Sequence, residues 1–391
     1  MWQRPINVDT ITTAFSIIPL LIDNNKVLFS KSLLGDGEDT LRMYNSKTGA
    51  LLWEWSDYII KDGFNLMQEK TFYKNGQIFC NTGSQVYCID ANSGRTVWRT
   101  KLDYPTITGS PRMTLIGDYL YHFENKPFQV WNLYSTLRRK NIYHGDWEPV
   151  FTINETEDHY CPDLELPSLW MNPNGDSVLV FQSRYVQRTT VQTRSDLIIY
   201  NLSKKKIEFR LDNIDKDGAA GVKPPAIIGN NCYFYGVWSL FCIDLVGKKL
   251  AWTKQYAQPK GENFADPFPA LVINNKLLVK PDNGALYQLN PETGEQLNYT
   301  TGLGPGATFP AEYKGLLYYG AQGNSKLYAM DPISGKAVWS EYSPNRYPNK
   351  FNGNRRFSRN NVGTGGVALD PINGYLYCSD YNFVMCLKIP E

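Results

Sequence analysis

The sequence predicts an all-β fold, an eight-bladed β-propeller of four-stranded antiparallel blades. Two observations lead to this prediction: one short motif recurs along the 391 residues, and its last copy lacks a strand that the first residues can supply. In the motif an apolar strand ends in Asp or Asn, Gly follows four residues later and Trp eight residues later. A repeat of this kind is typical of propellers and solenoids.

The motif has three complete copies and five partial ones. The complete copies are Val86–Asp90 with Gly94 and Trp98, Leu327–Asp331 with Gly335 and Trp339, and Leu41–Asn45 with Gly49 and Trp53. The partial copies keep the apolar strand and end at Asn132, Asn201, Asp244, Asn290 and Lys388. Alternating apolar residues predict a strand, the Asp or Asn side chain hydrogen-bonds its own turn, and Gly allows the positive φ of a hairpin.

A further hairpin precedes each copy of the motif, so each repeat has four strands, A to D. This hairpin is clearest at Leu20–Phe29 and Leu271–Val279. Four antiparallel strands per repeat make one propeller blade. We predict a single domain, 1–391, whose blades cover approximately 13–58, 63–103, 106–146, 150–213, 220–258, 264–302, 305–345 and 360–391.

The eighth repeat has strands A to C, and no residues remain for strand D before Glu391. The first residues, Met1–Arg4, match the outer strand Val97–Thr100. We therefore predict that residues 1–8 form the outer strand of the eighth blade, with Trp2 in the Trp position. Such a clasp pairs an otherwise open sheet edge. The alternative is a frayed terminal segment.

Composition excludes some partners. The 40 basic and 38 acidic residues give a net charge of +2, so no nucleic-acid partner is expected. No apolar run reaches the length of about 18 residues that a membrane span needs, and no secretory signal is visible. We expect a monomer.

The pattern Leu327-Tyr-Ala-Met-Asp331, with Gly335 and Trp339, resembles the repeat of the PQQ-like β-propeller family, in the quinoprotein alcohol dehydrogenase-like superfamily. The resemblance covers essentially the whole chain and is closest in build to the BamB outer-membrane assembly lipoproteins. It implies the fold more strongly than the function, because this fold hosts both enzymes and scaffolds.

The dehydrogenases of this family usually carry a vicinal Cys-Cys and acidic and Asn ligands for calcium. This sequence has no Cys-Cys dipeptide. We therefore expect no cofactor, neither PQQ nor calcium, and we assign no catalytic residue and no metal ligand. The likeness to BamB implies a periplasmic or outer-membrane-anchored protein whose leader has been removed; a cytoplasmic protein is the alternative.

Loop lengths indicate one working face. The A–B and C–D connections are predicted to be short, whereas the long segments 31–40, 141–166, 184–196 and 341–364 are predicted to be D–A or B–C loops. Rigid scaffolds carry binding residues on such loops. The predicted binding face consists of Asp146, Trp147, Asp158, His159, Arg184, Tyr185, Arg188, Arg346, Tyr347, Arg355, Arg356 and Arg359. The alternative is that these loops are only solvated surface.

Two smaller features allow alternatives. His159, Cys161 and Asp163, with His144 and Asp146, could ligate a transition metal, although their spacing matches no established pattern. The pairs Cys80/Cys88 and Cys378/Cys386 are each symmetric about a predicted turn. Each pair is either a cross-strand disulfide or two small buried thiols.

The sequence as a whole predicts a non-catalytic scaffold that binds a protein partner through the long-loop face. Two alternatives remain open at this point. One is a quinone-dependent (PQQ) oxidoreductase, and the other is a carbohydrate-binding propeller, since 26 Tyr and 10 Trp offer faces for sugar stacking. A small ligand or a glycan is therefore a possible partner.

Overall fold

The structure is a computed structural model that describes residues 1–5, 14–15, 19–33, 40–57, 71–82, 85–101, 113–128, 131–212, 214, 224–236, 239–255, 270–281, 284–305, 308–321, 324, 326–342, 344, 366–380 and 383–389. The regular structure of these residues is β-strand, arranged as eight antiparallel sheets of four or five strands. The prediction of an all-β, eight-bladed propeller is confirmed. No helix in the described part of the chain is long and apolar enough to cross a membrane.

The chain divides into two compact units, and each is described by itself. The first comprises Met1–Lys101, Gly284–Leu286 and Tyr299–Glu391, and the second Leu102–Asn283 and Tyr287–Asn298. The prediction of one single domain stays a prediction.

The first unit contains sheets one, two, seven and eight. Sheet one has β2 (Ala14–Phe15), β3 (Leu20–Ile22), β4 (Lys26–Leu33), β5 (Thr40–Asn45) and β6 (Leu51–Trp55); sheet two has β7 (Phe72–Lys74), β8 (Gln77–Thr82), β9 (Gln85–Asp90) and β10 (Thr96–Lys101). Sheet seven has β28 (Ala311–Tyr313), β29 (Leu316–Ala321), β30 (Lys326–Asp331) and β31 (Lys336–Tyr342); sheet eight has β32 (Ala368–Asp370), β33 (Tyr375–Ser379), β34 (Phe383–Lys388) and β1 (Trp2–Pro5).

The second unit contains sheets three to five and most of sheet six. Sheet three has β11 (Met113–Ile116), β12 (Tyr119–Phe128), β13 (Trp131–Asn141) and β14 (Glu148–Asn154); sheet four has β15 (His159–Leu164), β16 (Ser168–Met171), β17 (Ser177–Gln187), β18 (Gln192–Asn201) and β19 (Lys206–Leu211). Sheet five has β20 (Ala226–Ile228), β21 (Asn231–Tyr235), β22 (Ser239–Asp244) and β23 (Lys249–Gln255); sheet six has β24 (Leu271–Ile273), β25 (Lys276–Val279), β26 (Leu286–Leu289) and β27 (Gln296–Thr300).

The Gly of the motif is required for two reasons, which sheet two illustrates. The Asp90 carboxylate accepts hydrogen bonds from the backbone N–H of Ser93 (2.7 Å) and Asn92 (3.2 Å), and Gly94 follows with a φ of +70°. The ring of Trp53, from sheet one, lies directly on Gly94, where a Cβ would come within 2.7 Å of it. Sheet packing therefore demands Gly as strongly as the turn does.

A β-bulge precedes the aromatic position of the outer strand. In sheet one, Met43 pairs with Trp53 and Tyr44 with Leu51, so that Leu52 has no partner in the ladder. The same register shift leaves out Val97, Val150, Glu208, Ala251 and Val338 in five further sheets. Bulges of this kind blunt an outer edge against pairing with another chain and re-aim the next side chain.

A small residue on strand C lets two aromatic rings meet across the sheet. Cys88 lies between Phe79 and Trp98 in the ladder, and the two rings are 6.1 Å apart. Cys242 and Cys386 occupy the same position between Tyr and Trp in sheets five and eight. Burial raises the pKa of the Cys88 thiol to about 12, so these cysteines act as packing residues rather than nucleophiles.

The register also decides between the two interpretations of the cysteine pairs. Cys80 pairs with Tyr87, and Cys378 pairs with Met385. Cys88 and Cys386 are therefore each one residue out of register with their proposed partners and point to the opposite face of the sheet. All seven cysteines are free thiols, and the alternative of cross-strand disulfides is wrong.

The clasp is confirmed. Strand β1 pairs antiparallel with β34, with Trp2 opposite Cys386, and completes sheet eight. Trp2 is buried, donates its indole N–H to the carbonyl of Ser46 at 2.8 Å, and lies on Gly49. Trp53 and Trp252 make the same contacts with the turns of sheets two and six, so Trp2 occupies a regular position of the repeat.

The third sheet corrects two predictions. Asn132 does not end strand C; it pairs with Pro127 near the start of β13. The strand ends at Asn141, whose side chain accepts the turn N–H of Tyr143 at 3.0 Å as the motif Asp does, and Gly145 follows four residues later with a φ of +76°. Strand β14 is then the outer strand of the third sheet, so the boundary predicted between 146 and 150 is wrong and falls after Asn154. The repeat is disguised because the bulge lies two residues further from the C–D turn than in sheet two, which moves the aromatic position to Phe151.

Candidate functional site: a ledge on the fourth sheet

The predicted binding face is divided by the structure. Five of its residues, Arg346, Tyr347, Arg355, Arg356 and Arg359, lie outside the described residues. The other seven belong to sheets three and four of the second unit.

Asp146 and Trp147 do not belong with the other five. They lie between β13 and β14, in a C–D connection, and therefore at the end of the sheets opposite to the D–A and B–C connections. The edge of Trp147 contacts the ring of His122, with centroids 4.4 Å apart, and His122 is fully buried. Burial lowers the pKa of His122 to about 4. The predicted grouping of Asp146 and Trp147 with Asp158 is wrong.

Most of the segment 184–196 is strand rather than loop, and only residues 188–191 form a turn. Strands β15, β17 and β18 continue past the end of β19, which pairs only with Leu197–Asn201, and form a three-stranded projection. We call this projection, residues 155–160 and 184–194, the ledge. Asp158, His159, Tyr185 and Arg188 lie on it, and Arg184 stands at its base.

Arg188 joins the two connections of the ledge. Its backbone N–H donates to the carbonyl of Asp158 at 2.8 Å, and its guanidinium makes an ion pair with Glu155 at 2.8 Å. The same guanidinium donates to the carbonyl of Thr156 at 3.3 Å and lies 5.2 Å from the ring centre of Tyr160. Arg188 therefore links the D–A and B–C connections through both its backbone and its side chain.

His159 and Tyr185 pack against each other, with ring centroids 4.0 Å apart. The hydroxyl of Tyr185 donates to the buried carboxylate of Asp196 at 3.0 Å, and Arg210 donates to the other oxygen of that carboxylate at 2.5 Å. Burial and the charge of Asp196 raise the pKa of Tyr185 well above its ordinary value. Tyr185 is therefore a neutral structural residue, and the ring of His159 covers it.

A polar cluster supports the base of the ledge. Arg184 forms ion pairs with Asp163 at 2.6 Å and Glu165 at 2.9 Å, and Asn125 donates to the other oxygen of Asp163 at 3.0 Å. Burial lowers the pKa of Arg184, but the carboxylates of Glu165 and Asp163 more than offset this and raise it. Two carboxylates therefore face one guanidinium at the base of the ledge.

The metal-binding alternative gains no support from this arrangement. His159 packs on Tyr185 and Asp163 binds Arg184, while His144 and Asp146 lie at the other end of the sheets. Cys161 is part of a bulge in β15, with a φ of +54°. Among the described residues, no group of three or more His, Cys, Asp or Glu side chains is placed to hold a metal ion.

The outer surface of the ledge is polar and exposed. Glu157, Asp158, Thr189 and Thr190 are exposed, and the side chain of Val191 at the hairpin tip is 71% exposed. Such a surface offers hydrogen bonds, two negative charges and one apolar contact to an approaching molecule.

Sequence reasoning missed four buried polar residues at the base: Asn125, Glu165, Gln182 and Ser195. One signal could have found Gln182. The apolar strand Val178-Leu-Val-Phe181 continues directly into Gln182-Ser-Arg184 with no Gly, Pro or Asn between them. When an apolar segment is followed by polar residues with no turn-forming residue between them, the strand is expected to continue through the polar residues.

The fold and the motif define the class of protein, a β-propeller of PQQ-like repeats. A family model described as outer membrane protein assembly factor BamB matches residues 37–121 and 239–376, which is more than half of the chain. The chain belongs to this family.

Solved structures agree on the fold. BamB from Moraxella catarrhalis superposes with a TM-score of 0.57 at 12% identity, covering 96% of this chain and 97% of that one. A europium-containing methanol dehydrogenase gives 0.60 at 10% identity over 87% and 80% of the two chains. Sqt1 of Saccharomyces cerevisiae gives 0.63 at 10% identity over 98% of both. No curated protein matches the chain. At these identities the likenesses establish the fold alone.

Proposed function

We propose that this protein is a non-catalytic scaffold that binds a protein partner through the end of the sheets that carries the D–A and B–C connections. The ledge is one described part of that surface. The family description, an outer membrane protein assembly factor, supports a role in assembly with other proteins. The proposal extends that description to the place of action, the periplasmic side of the outer membrane, and to function without a bound cofactor.

One observation carries the proposal: the ledge is ordered internally while its outer residues stay exposed. Arg188 links both connections of the ledge, and the backbone of Thr156 and the carbonyl of His159 close the turn between β14 and β15 with a 2.8 Å hydrogen bond. A surface that is ordered before binding loses less conformational entropy when a partner docks.

Site-specific photo-crosslinking tests the proposal. A photoreactive amino acid at Thr189, which is exposed on the ledge, is expected to form an adduct with a partner in cells. The matched control is Ser203, which is also exposed and lies in the C–D turn at the other end of the same sheet. The adduct is identified by mass spectrometry and reconstituted from purified proteins. Adducts at Ser203 but not at Thr189 would place the interaction on the opposite end.

The likeness to a europium-containing methanol dehydrogenase favours a second candidate, a quinone-dependent oxidoreductase. Turnover of alcohols by the purified protein, with PQQ and either calcium or a lanthanide supplied, measures this directly. We expect no turnover above the protein-free rate. Saturable turnover would replace the scaffold proposal with the enzymatic one.

A further inference from the structure

Three buried polar atoms lie together on the face of the fourth sheet that packs against sheet five. Arg184 and Ser195 are directly opposite each other in the ladder of β17 and β18, and Gln182 precedes Arg184 by two residues on the same face. The atoms are Arg184 Nε, Ser195 Oγ and Gln182 Oε1, and none has a hydrogen-bond partner among the described residues. Gln182 and Ser195 are 2% and 0% exposed.

Buried polar atoms without partners are rare, because each costs about 1–3 kcal/mol when water is withdrawn. Here they lie on one face of the sheet, and one of them belongs to a partly exposed side chain. The side chain of Arg184 is 22% exposed and that of Asp163 is 11% exposed, whereas Glu165 behind them is 1% exposed. Arg184 therefore connects the buried atoms of Gln182 and Ser195 with the partly exposed base of the ledge.

The chemistry of the three atoms selects the ligand. Arg184 Nε is a donor, Gln182 Oε1 is an acceptor, and the Ser195 hydroxyl is both. The other amide atom of Gln182, Nε2, donates to the carbonyl of Tyr235 at 3.3 Å, which fixes Oε1 as the free acceptor. The ligand must accept and donate within one small group.

The charges around the three atoms exclude charged ligands. Asp163 and Glu165 already face the guanidinium of Arg184, so a carboxylate ligand meets two negative charges. An ammonium ligand meets the guanidinium itself at close range. A neutral group with both a carbonyl and an N–H satisfies all three atoms and adds no charge.

We propose that Gln182, Arg184 and Ser195 form a binding site for a carboxamide group presented by a protein partner. The carboxamide oxygen accepts from Arg184 Nε and the Ser195 hydroxyl, and its N–H donates to Gln182 Oε1. This inference rests on the proposed function, in which a partner docks on the ledge directly above these residues.

A titration of the purified protein with small probes tests the site. The readout is the ¹H–¹⁵N signal of Arg184 Nε, assigned by its disappearance in Arg184→Lys. Acetamide is expected to shift this signal saturably, whereas acetate and methylammonium are not. N-methylacetamide, run as a further arm, distinguishes a backbone amide from the side-chain amide that acetamide represents.

Two variants sharpen the result. Ser195→Ala removes one hydrogen bond and is expected to weaken acetamide binding about fivefold; Gln182→Glu adds a charge and is expected to abolish it. Ser203→Ala, at the other end of the sheet, is expected to change nothing. No saturable shift with acetamide, or equal shifts with all three probes, would overturn the site. This titration needs no partner, so its result is independent of the crosslinking result at Thr189. Either experiment can fail while the other succeeds.

Discussion

The clasp of the first unit and the ledge of the second both fix a chain segment, but they do so by opposite means. At the clasp, Trp2 fills a position that the repeat already provides on the turn of the next sheet. On the ledge, Arg188 ties together two segments that have no counterpart in the repeat. The comparison teaches that the regular positions of this fold carry stability, whereas the departures from the repeat are free to carry binding.

The largest expected effect tests the clasp side of this comparison. Trp2→Ala removes a buried ring that contacts Phe29, Tyr44 and Tyr377. The free energy of unfolding is expected to fall by ~3–5 kcal/mol, as for other buried Trp truncations. Denaturant unfolding measures it, with the exposed neighbour Gln3→Ala as the control. A loss below that of the control would mean that the terminal strand contributes nothing.

The second prediction uses the histidines, all three of which lie in the second unit. Because burial holds the folded pKa of His122 at about 4, below the ordinary 6.5, only the unfolded chain takes up a proton at this position between these pH values. Its contribution is fully present above about pH 6.5 and decreases by up to about 3 kcal/mol as the pH falls to 4.

Unfolding free energies measured from pH 7 to 4 check the prediction for His122. The slope is expected to be smaller in His122→Gln, which cannot be protonated. His144→Gln is the control, because His144 is exposed. An unchanged slope in His122→Gln would contradict the buried neutral state.

The third prediction separates the two demands that the repeat places on glycine. Gly94 has a φ of +70° and lies under Trp53, whereas Gly76 has a φ of +77° and no atom near the position of a Cβ. Gly76→Ala is expected to cost about 1–2 kcal/mol, the price of the left-handed backbone alone. Gly94→Ala is expected to cost clearly more, because Trp53 must also move. Equal losses by thermal or denaturant unfolding would show that the Trp contact adds nothing.

The sequence allowed the prediction of what repeats and not of what interrupts the repeat. The position of Trp2 could be predicted because Met1–Arg4 follows the same pattern as Val97–Thr100. The third sheet could not, because its bulge lies two residues further from the C–D turn, which moved its aromatic residue to Phe151, and Asn132 was a false match. Periodicity cannot reveal an insertion that keeps the residue types and changes the spacing.

The candidate site was predicted only in part, because it also interrupts the repeat. Asp158, His159, Arg184, Tyr185 and Arg188 do belong to one projection, but its body consists of strands, and only Asp158 and Arg188 lie in its connections. The polar strand residues Gln192–Arg194 look like a loop when the partner strand is unknown. The buried atoms of Gln182 and Ser195 depend on cross-strand register, which one strand alone does not define.

The smallest expected effect tests the ledge side of the comparison. Arg188→Ala removes an ion pair with a partly exposed Glu155, so the global free energy of unfolding is expected to change by less than about 1 kcal/mol.

The effect of Arg188→Ala on the local stability of the ledge is expected to be larger. The backbone N–H groups of Thr156, His159 and Arg188 are hydrogen-bonded within the ledge, and hydrogen exchange is expected to accelerate at these amides. Thr190→Ala is the matched control, because its hydroxyl donates to Gln187 in the same hairpin. Faster exchange confined to the ledge in Arg188→Ala would separate local order from global stability. A global loss as large as that of Trp2→Ala would instead make the ledge part of the core and leave it no freedom to act as a docking surface.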